Sequence, residues 1–281
     1  SLTFAVVEPW IEERLGRILV NEFGQDRVYV YQGELGTTFL AGSVDSSTAT
    51  ANALSHWLPE PGLDGLTIST DDWPFLYLRS PRIPAMYWQA LLLIGVVAFV
   101  IMARSFPEVL RPDWHFWFLG AAFLLIEFKS ITELALLFGT TWLVNAIAIS
   151  GVLLMILFAN SVVLRSKRVN LRLAFALLLL SVLFLYFFPI KSLSGLSFVP
   201  RLMAGGGLLS MPLFFSGLIF GESLRRADET SRPLASNLGG AMFGGLLEYG
   251  SLVWGIKSLY LLAFGLYLFA WLASRLRVKS A

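Results

Sequence analysis

The stretch Met86-Tyr-Trp-Gln-Ala-Leu-Leu-Leu-Ile-Gly-Val-Val-Ala-Phe-Val-Ile-Met-Ala103 decides the fold class of this 281-residue chain. It carries no charged side chain, and about 20 such residues in a helix cross the hydrocarbon core of a bilayer. Working outward, the same density recurs over 115–138, 142–164, 171–188 (closed by Pro189) and 199–220. The run 235–273 is long enough for two further helices, with a turn near Trp254-Gly255-Ile256-Lys257. The expectation is an α-helical polytopic membrane bundle of about seven spans over residues 85–281. Trp88, Trp114, Trp117, Trp142, Trp254 and Trp271 fall near the expected span ends, where amphipathic rings sit at the headgroup level. Composition agrees. The chain is 56% hydrophobic and 14% charged, with mean hydropathy +0.70, against roughly 25% charged in a soluble domain.

The net charge of +2 divides unevenly. Residues 1–84 hold 5 Arg, no Lys and 11 acids, a charge of −6, and residues 85–281 hold 16 Lys or Arg against 8 acids, a charge of +8. An acidic polar head is joined to a basic apolar body, which excludes a single soluble globule, a disordered chain and a nucleic-acid binder with a basic face. Cysteine is absent, so thiolate chemistry and disulfides are excluded. His56 and His115 are far apart in sequence, and no metal site is expected. The chain opens at Ser1 on a strand-like run, Leu2 to Val7, and reads as the C-terminal part of a longer protein.

In the head, Pro9 opens a helix whose apolar residues Ile11, Leu15, Ile18, Leu19 and Phe23 recur at helical spacing, and Gly24 stops it. Glu13 and Arg17 form an i,i+4 pair. Residues 27–31 and 37–40 read as a hairpin punctuated by Gly33 and Gly36, residues 43–56 as a short helix, and Pro59, Pro61, Gly62 and Gly65 as a loop. No glycine-rich cofactor fingerprint occurs between the first strand and helix. Two readings stand for Asp71-Asp72-Trp73-Pro74 before the first span. The carboxylates form a juxtamembrane acidic site, or they cap a turn while Trp73 anchors at the membrane surface.

In the body, twelve cations fall on loops of one side: Arg104, Arg111, Arg165, Lys167, Arg168, Arg172, Arg225, Arg226, Arg232, Arg275, Arg277 and Lys279. The opposite loops show Lys191, Arg201 and Lys257, with Arg79 and Arg82 at the base of the head. Positive-inside counting makes the first side cytoplasmic, with the C-terminus, and puts the head outside. Glu127, Lys129 and Glu133 lie inside the second span and Glu248 inside the sixth. Lys129 and Glu133 share a helix face, whereas Glu127 points elsewhere, and Glu248 either meets Lys129 or sits protonated. Each buried charge costs at least about 2.5 kcal/mol unless paired or neutralised. They are candidates for a proton, cation or amine site, or for a structural pair that fixes helix register. Gly217 and Gly221, and Gly240 and Gly244, are small-xxx-small pairs for close helix packing. Gly205-Gly206-Gly207 lacks the partners of a phosphate loop and reads as flexible or closely packed helix. Pro200 and Pro212 are expected to start and kink the fifth span.

Several segments together resemble one family: Leu124-Leu-Ile-Glu-Phe-Lys-Ser-Ile-Thr-Glu-Leu134, Leu137-Phe-Gly-Thr-Thr-Trp-Leu-Val-Asn145, Asn237-Leu-Gly-Gly240, Gly244-Gly-Leu-Leu-Glu-Tyr249 and Thr70-Asp-Asp-Trp-Pro-Phe75. The combination resembles the membrane-fused spermidine synthase-like proteins, which join a methyltransferase-type α/β domain to multiple membrane helices. The resemblance implies that residues 1–84 are the C-terminal fragment of such a domain. It implies a parent protein, placed in the bacterial inner membrane, that transfers an aminopropyl group from decarboxylated S-adenosylmethionine to a small amine, or acts on S-adenosylmethionine. Partners implied are the bilayer, a polyamine and an upstream catalytic domain. The cofactor loop and amine-binding acids are not in this chain, so no catalytic residue is carried over and the chain alone is expected not to be catalytic. Two other classes stand beside this one: an amine- or proton-handling transporter using Glu127, Lys129, Glu133 and Glu248, and a membrane scaffold without chemistry.

Overall fold

A computed structural model describes residues 2–6, 8–33, 36–42, 54–59, 66–139 and 142–280. The chain divides into two compact units, Ser1–Arg82 and Ile83–Ala281.

The first unit opens with strand β1 (Leu2–Val6) and helix α1 (Pro9–Phe23), continues with β2 (Val28–Gly33) and β3 (Gly36–Ala41), and adds the two-residue β4 (Ser55–His56). Pro9 occupies the first turn of α1, where its missing N–H costs nothing. Gly24, at φ +86°, ends the helix and donates its N–H to the Val20 carbonyl at 2.9 Å. The sheet order is β1-β3-β2-β4, antiparallel throughout. β3 therefore runs between two strands, β1 and β2, that are parallel to each other and joined through α1. Val28, Val30, Phe39 and Ala41 point inward at period two and bury against Ile11, Leu15 and Leu19 of α1, with Trp57 closing the core. Gly16 is required there, because a Cβ would lie 2.2 Å from the Trp57 ring. The expected helix over 43–56 lies mostly outside the described residues, and its last two positions are strand instead. Ser55 and His56 pair with Val30 and Tyr29, because β2 offers an open edge. Residues 60–65 of the expected loop also lie outside the described residues.

The second unit is helical: α2 (Ala85–Ser105), α3 (Trp114–Phe138), α4 (Trp142–Arg165), α5 (Leu171–Phe187), α6 (Phe198–Arg225), α7 (Ser231–Leu247), the one-turn α8 (Ser251–Trp254) and α9 (Ser258–Ser280). A helix stands at each of the seven expected ranges. Among the described residues, four are long and apolar enough to cross a membrane: α2, α4 from Val144, α6 and α9 as far as Leu276. By length and composition the expected seven spans thus become four. α5 and α7 have only 17 residues each, and α3 carries Glu127, Lys129 and Glu133. The turn expected at 254–257 is Gly255, at φ +82°.

α3 is the hub, packed by α4, α6, α7 and α9. Glycine makes the approach possible. A Cβ on Gly240 would stand 1.8 Å from the Trp117 carbonyl oxygen, and one on Gly244 would stand 2.4 Å from that of Ala121. The second small-xxx-small pair, Gly217 and Gly221, packs α6 on Ala159 and Val163 of α4. Pro200 lies in the first turn of α6 and Pro212 in its interior, where the Leu208 carbonyl loses its helical donor. Of the three consecutive glycines, Gly205 packs on Leu137 and the other two face open space.

Contacts at the helix ends fix the direction of travel. At one end, Arg232 Nε donates to the Arg111 carbonyl at 2.7 Å and the Asp113 N–H to Ser236 Oγ at 2.8 Å. Arg225 donates there to the Val163 and Ser166 carbonyls, both at 2.8 Å. At the other end, Arg201 reaches the Leu137 carbonyl at 3.2 Å, and the rings of Tyr87 and Tyr249 meet at 6.2 Å. Successive long helices therefore alternate in direction. The segments carrying Arg104, Arg111, Arg165, Lys167, Arg168, Arg172, Arg225, Arg226, Arg232 and Arg275 gather at the first of these ends, called the basic end below.

Candidate functional site

One stripe of α3 carries the interior polar groups. His115, Leu119, Ala122, Ile126, Lys129 and Glu133 recur three and four residues apart, and all are buried. Lys129, 3% exposed, donates from Nζ to Glu133 Oε1 at 2.5 Å, and Nζ lies 5.1 Å from the centre of the Tyr260 ring on α9. Ser130 donates to the Ile126 and Leu209 carbonyls at 2.8 and 3.1 Å, tying α3 to α6 beside the proline-altered part of that helix. Cation, carboxylate and aromatic face meet across α3 and α9.

Of the four expected interior residues, Lys129 and Glu133 are the two that come together. Glu127 is half-buried on another face of α3, and Glu248 is half-buried in the turn that ends α7. Lys129 is held by Glu133, one helical turn away on its own helix.

Asp71 and Asp72 lie in a turn that Thr70 caps. Trp73 N–H donates to the Thr70 carbonyl and hydroxyl, each at 3.1 Å, and Thr70 N–H returns a bond to the Trp73 carbonyl at 3.1 Å. Thr70 contributes the bonds of this turn, and Trp73 is buried against Arg14 rather than presented at a surface.

Arg14 is the residue that motif reading missed in the head. It is fully buried. Its Nη1 donates to the carbonyls of Phe75, Leu76 and Leu78 at 3.3, 2.8 and 2.6 Å, and Nη2 to that of Arg79 at 3.0 Å. The guanidinium stands 5.3 Å from the rings of both Trp10 and Trp73. Burial pulls its pKa below the ordinary arginine value. Helical spacing carried the signal, since 11, 14, 15, 18 and 19 form one stripe and put Arg14 on the core face.

Two further groups appear at the basic end. His115 is buried, with Nδ1 2.9 Å from the Ala270 carbonyl and Nε2 2.9 Å from Ser223 Oγ. A carbonyl can only accept, so Nδ1 carries the proton, and in the neutral ring Nε2 accepts from the serine. Glu222 is buried and binds both Arg225 and Arg226, the latter at 2.7 Å. Both arginines also donate to carbonyls of the α4–α5 connection.

Two of the cavities in the helical unit have defined linings among the described residues. The larger, about 880 Å³, lies at the basic end between the start of α3, the α6–α7 turn and the last turns of α9. The smaller, about 240 Å³, is lined by α3, α4, α6 and α7, with Asn160, Ser216 and Asn237 as its polar groups. Lys129 and Glu133 line neither. Among the described residues, no three His, Cys, Asp or Glu side chains are placed to hold a metal ion. No family model, curated protein or solved structure matches this chain.

Proposed function

We propose that the helical unit is an integral inner-membrane bundle of seven crossings, with its basic end in the cytoplasm, that anchors a spermidine synthase-like protein. The observation that carries the membrane part is the gathering of cations at one end of helices that alternate in direction, the pattern positive-inside sorting produces. α3 crosses within the bundle, where neighbouring helices cover its charges, and the 17-residue α5 and α7 cross where the bilayer thins around them. The transferase part rests on the resemblance of the motifs. In this reading an upstream domain binds decarboxylated S-adenosylmethionine or S-adenosylmethionine and a small amine, and the present helices hold it at the membrane. The Lys129–Glu133 pair, which lines neither of the two cavities described, supports a register-fixing role over a transport site.

Alkaline carbonate extraction and reporter fusions test the membrane reading. The chain should resist extraction, and reporters after Ala281 and in the α4–α5 connection should be cytoplasmic, whereas one near Lys257 should not. Cytoplasmic reporters at both ends would refute the seven crossings. The protein extended upstream should then transfer an aminopropyl group to putrescine. A folded, cofactor-binding extension with no such transfer would remove the transferase assignment and leave the anchor.

A further inference from the structure

We propose that the 880 Å³ cavity at the basic end binds the headgroup of a lipid bearing a primary ammonium beside a phosphate, the ethanolamine phospholipid class. The inference rests on the membrane reading above. The cavity is amphipathic: Trp114, Phe118, Phe269 and Leu272 are among its apolar residues. Its charged residues are Asp113, Asp228, Glu229 and Arg232. Its size falls within the range of small-molecule sites, roughly 300 to 1,000 Å³.

The lining inverts the charge of its surroundings. The basic end is rich in cations, yet Arg225 and Arg226 are engaged by Glu222 and by carbonyls, and three carboxylates face one guanidinium in the cavity. Asp113 caps α3 by accepting the His115 N–H at 3.1 Å, and Glu229 accepts the Ser231 hydroxyl at 2.5 Å. Arg232 uses Nε on the Arg111 carbonyl at 2.7 Å, which fixes the plane of the guanidinium and leaves its terminal nitrogens directed to other acceptors. A site with carboxylates and a phosphate-binding fork suits a head that is cationic at one point and anionic at another.

Competing ligands satisfy only part of this lining. A soluble diamine uses the carboxylates but neither Arg232 nor the aromatic residues. A choline head has no N–H to donate to a carboxylate, and a glycerol head brings no cation. The apolar residues Phe118, Phe269 and Leu272 give the acyl chains a surface continuous with the bundle exterior.

The test uses the full chain, purified in detergent, offered equimolar phosphatidylethanolamine, phosphatidylcholine and phosphatidylglycerol, with retained lipid counted by native mass spectrometry. The ethanolamine lipid should be retained roughly ten-fold over the choline lipid, the ratio expected for one or two charge-assisted hydrogen bonds. Asp228→Asn with Glu229→Gln, and Arg232→Gln separately, should each abolish the preference. Ala273→Trp should displace the lipid by filling the cavity without touching its charges, and decides the matter should a charge variant fail to fold. Equal retention of the three lipids, preference for the glycerol lipid, or displacement by equimolar putrescine would each overturn the proposal. A chain that stays soluble without detergent refutes the membrane reading first, whereas one that needs detergent but does not discriminate refutes this inference alone.

Discussion

Replacing Lys129 by methionine separates a structural role for the interior pair from a transport role. The lysine donates at 2.5 Å to a carboxylate that is itself buried, with side-chain exposures of 3% and 10% for the two partners. Removing the cation leaves Glu133 beside the Tyr260 ring with no countercharge, and breaking a buried pair in this way costs about 3–5 kcal/mol. Removing both charges, Lys129→Met with Glu133→Leu, should recover most of that loss, because two desolvated ions are replaced by apolar volume. Thermal unfolding in detergent reads the difference. At about 2–4 °C per kcal/mol for a unit of this size, a 3 kcal/mol loss corresponds to a drop of roughly 6–12 °C in the single variant. The double variant should return close to the parent. A double variant as unstable as the single one would refute the reasoning, since the pair would then contribute more than mutual neutralisation. Loss of proton-coupled amine flux in a stable double variant would instead restore the transport reading.

Four other substitutions probe other parts of the chain. Gly240→Leu should abolish the folded bundle, because its Cβ would meet the Trp117 carbonyl at 1.8 Å, while Gly206→Ala, in open space, should be tolerated and raise helix stability by up to about 1 kcal/mol; circular dichroism melts distinguish them. Arg14→Lys should destabilise the head by about 2 kcal/mol despite keeping the charge, because an ammonium cannot span four carbonyls, and limited proteolysis near Phe75–Arg79 should accelerate. Glu222→Gln should cost only about 1–2 kcal/mol, discounted because Arg225 and Arg226 reach solvent; a melt unchanged within error would remove the clamp from the account.

What was legible in the sequence divides along physical lines. Periodicity located α1 and a helix at every apolar range, because burial of an apolar stripe or a whole apolar surface is written directly in residue spacing. The Gly240 and Gly244 pair was legible as a close contact, though its partner, the Trp117–Ala121 backbone, was not, since helix pairing depends on the whole bundle. Lys129 and Glu133 were legible because i,i+4 geometry is local. The partners of Arg14 and His115 were not legible. Their roles come from carbonyls 61 to 155 residues away in the chain, and no local pattern encodes an acceptor that distant.

The cation count that orients the bundle also changes in meaning once its members are placed. Arg225 and Arg226 neutralise Glu222 and cap the α4–α5 connection, and Arg232 holds the Arg111 carbonyl, so three of the basic-end residues have structural work independent of any membrane potential. On the opposite end Arg201 likewise donates to the Leu137 and Leu196 carbonyls. If these four existed only as clamps, removing them from the tally would still leave Arg104, Arg111, Arg165, Lys167, Arg168, Arg172 and Arg275 against Lys191, Lys257 and, at the base of the head, Arg79 and Arg82. The asymmetry therefore does not depend on the clamps. Charge reversal at Lys167 and Arg168, which lie in the α4–α5 connection outside any helix, should perturb orientation without loosening α6, whereas Arg225→Ala should loosen α6 and leave orientation alone. Reporter activity together with a melt on the same two variants separates the effects. If Arg225→Ala inverted the topology, the clamps could no longer be set aside, and the cytoplasmic placement of the basic end would rest on too few charges to stand.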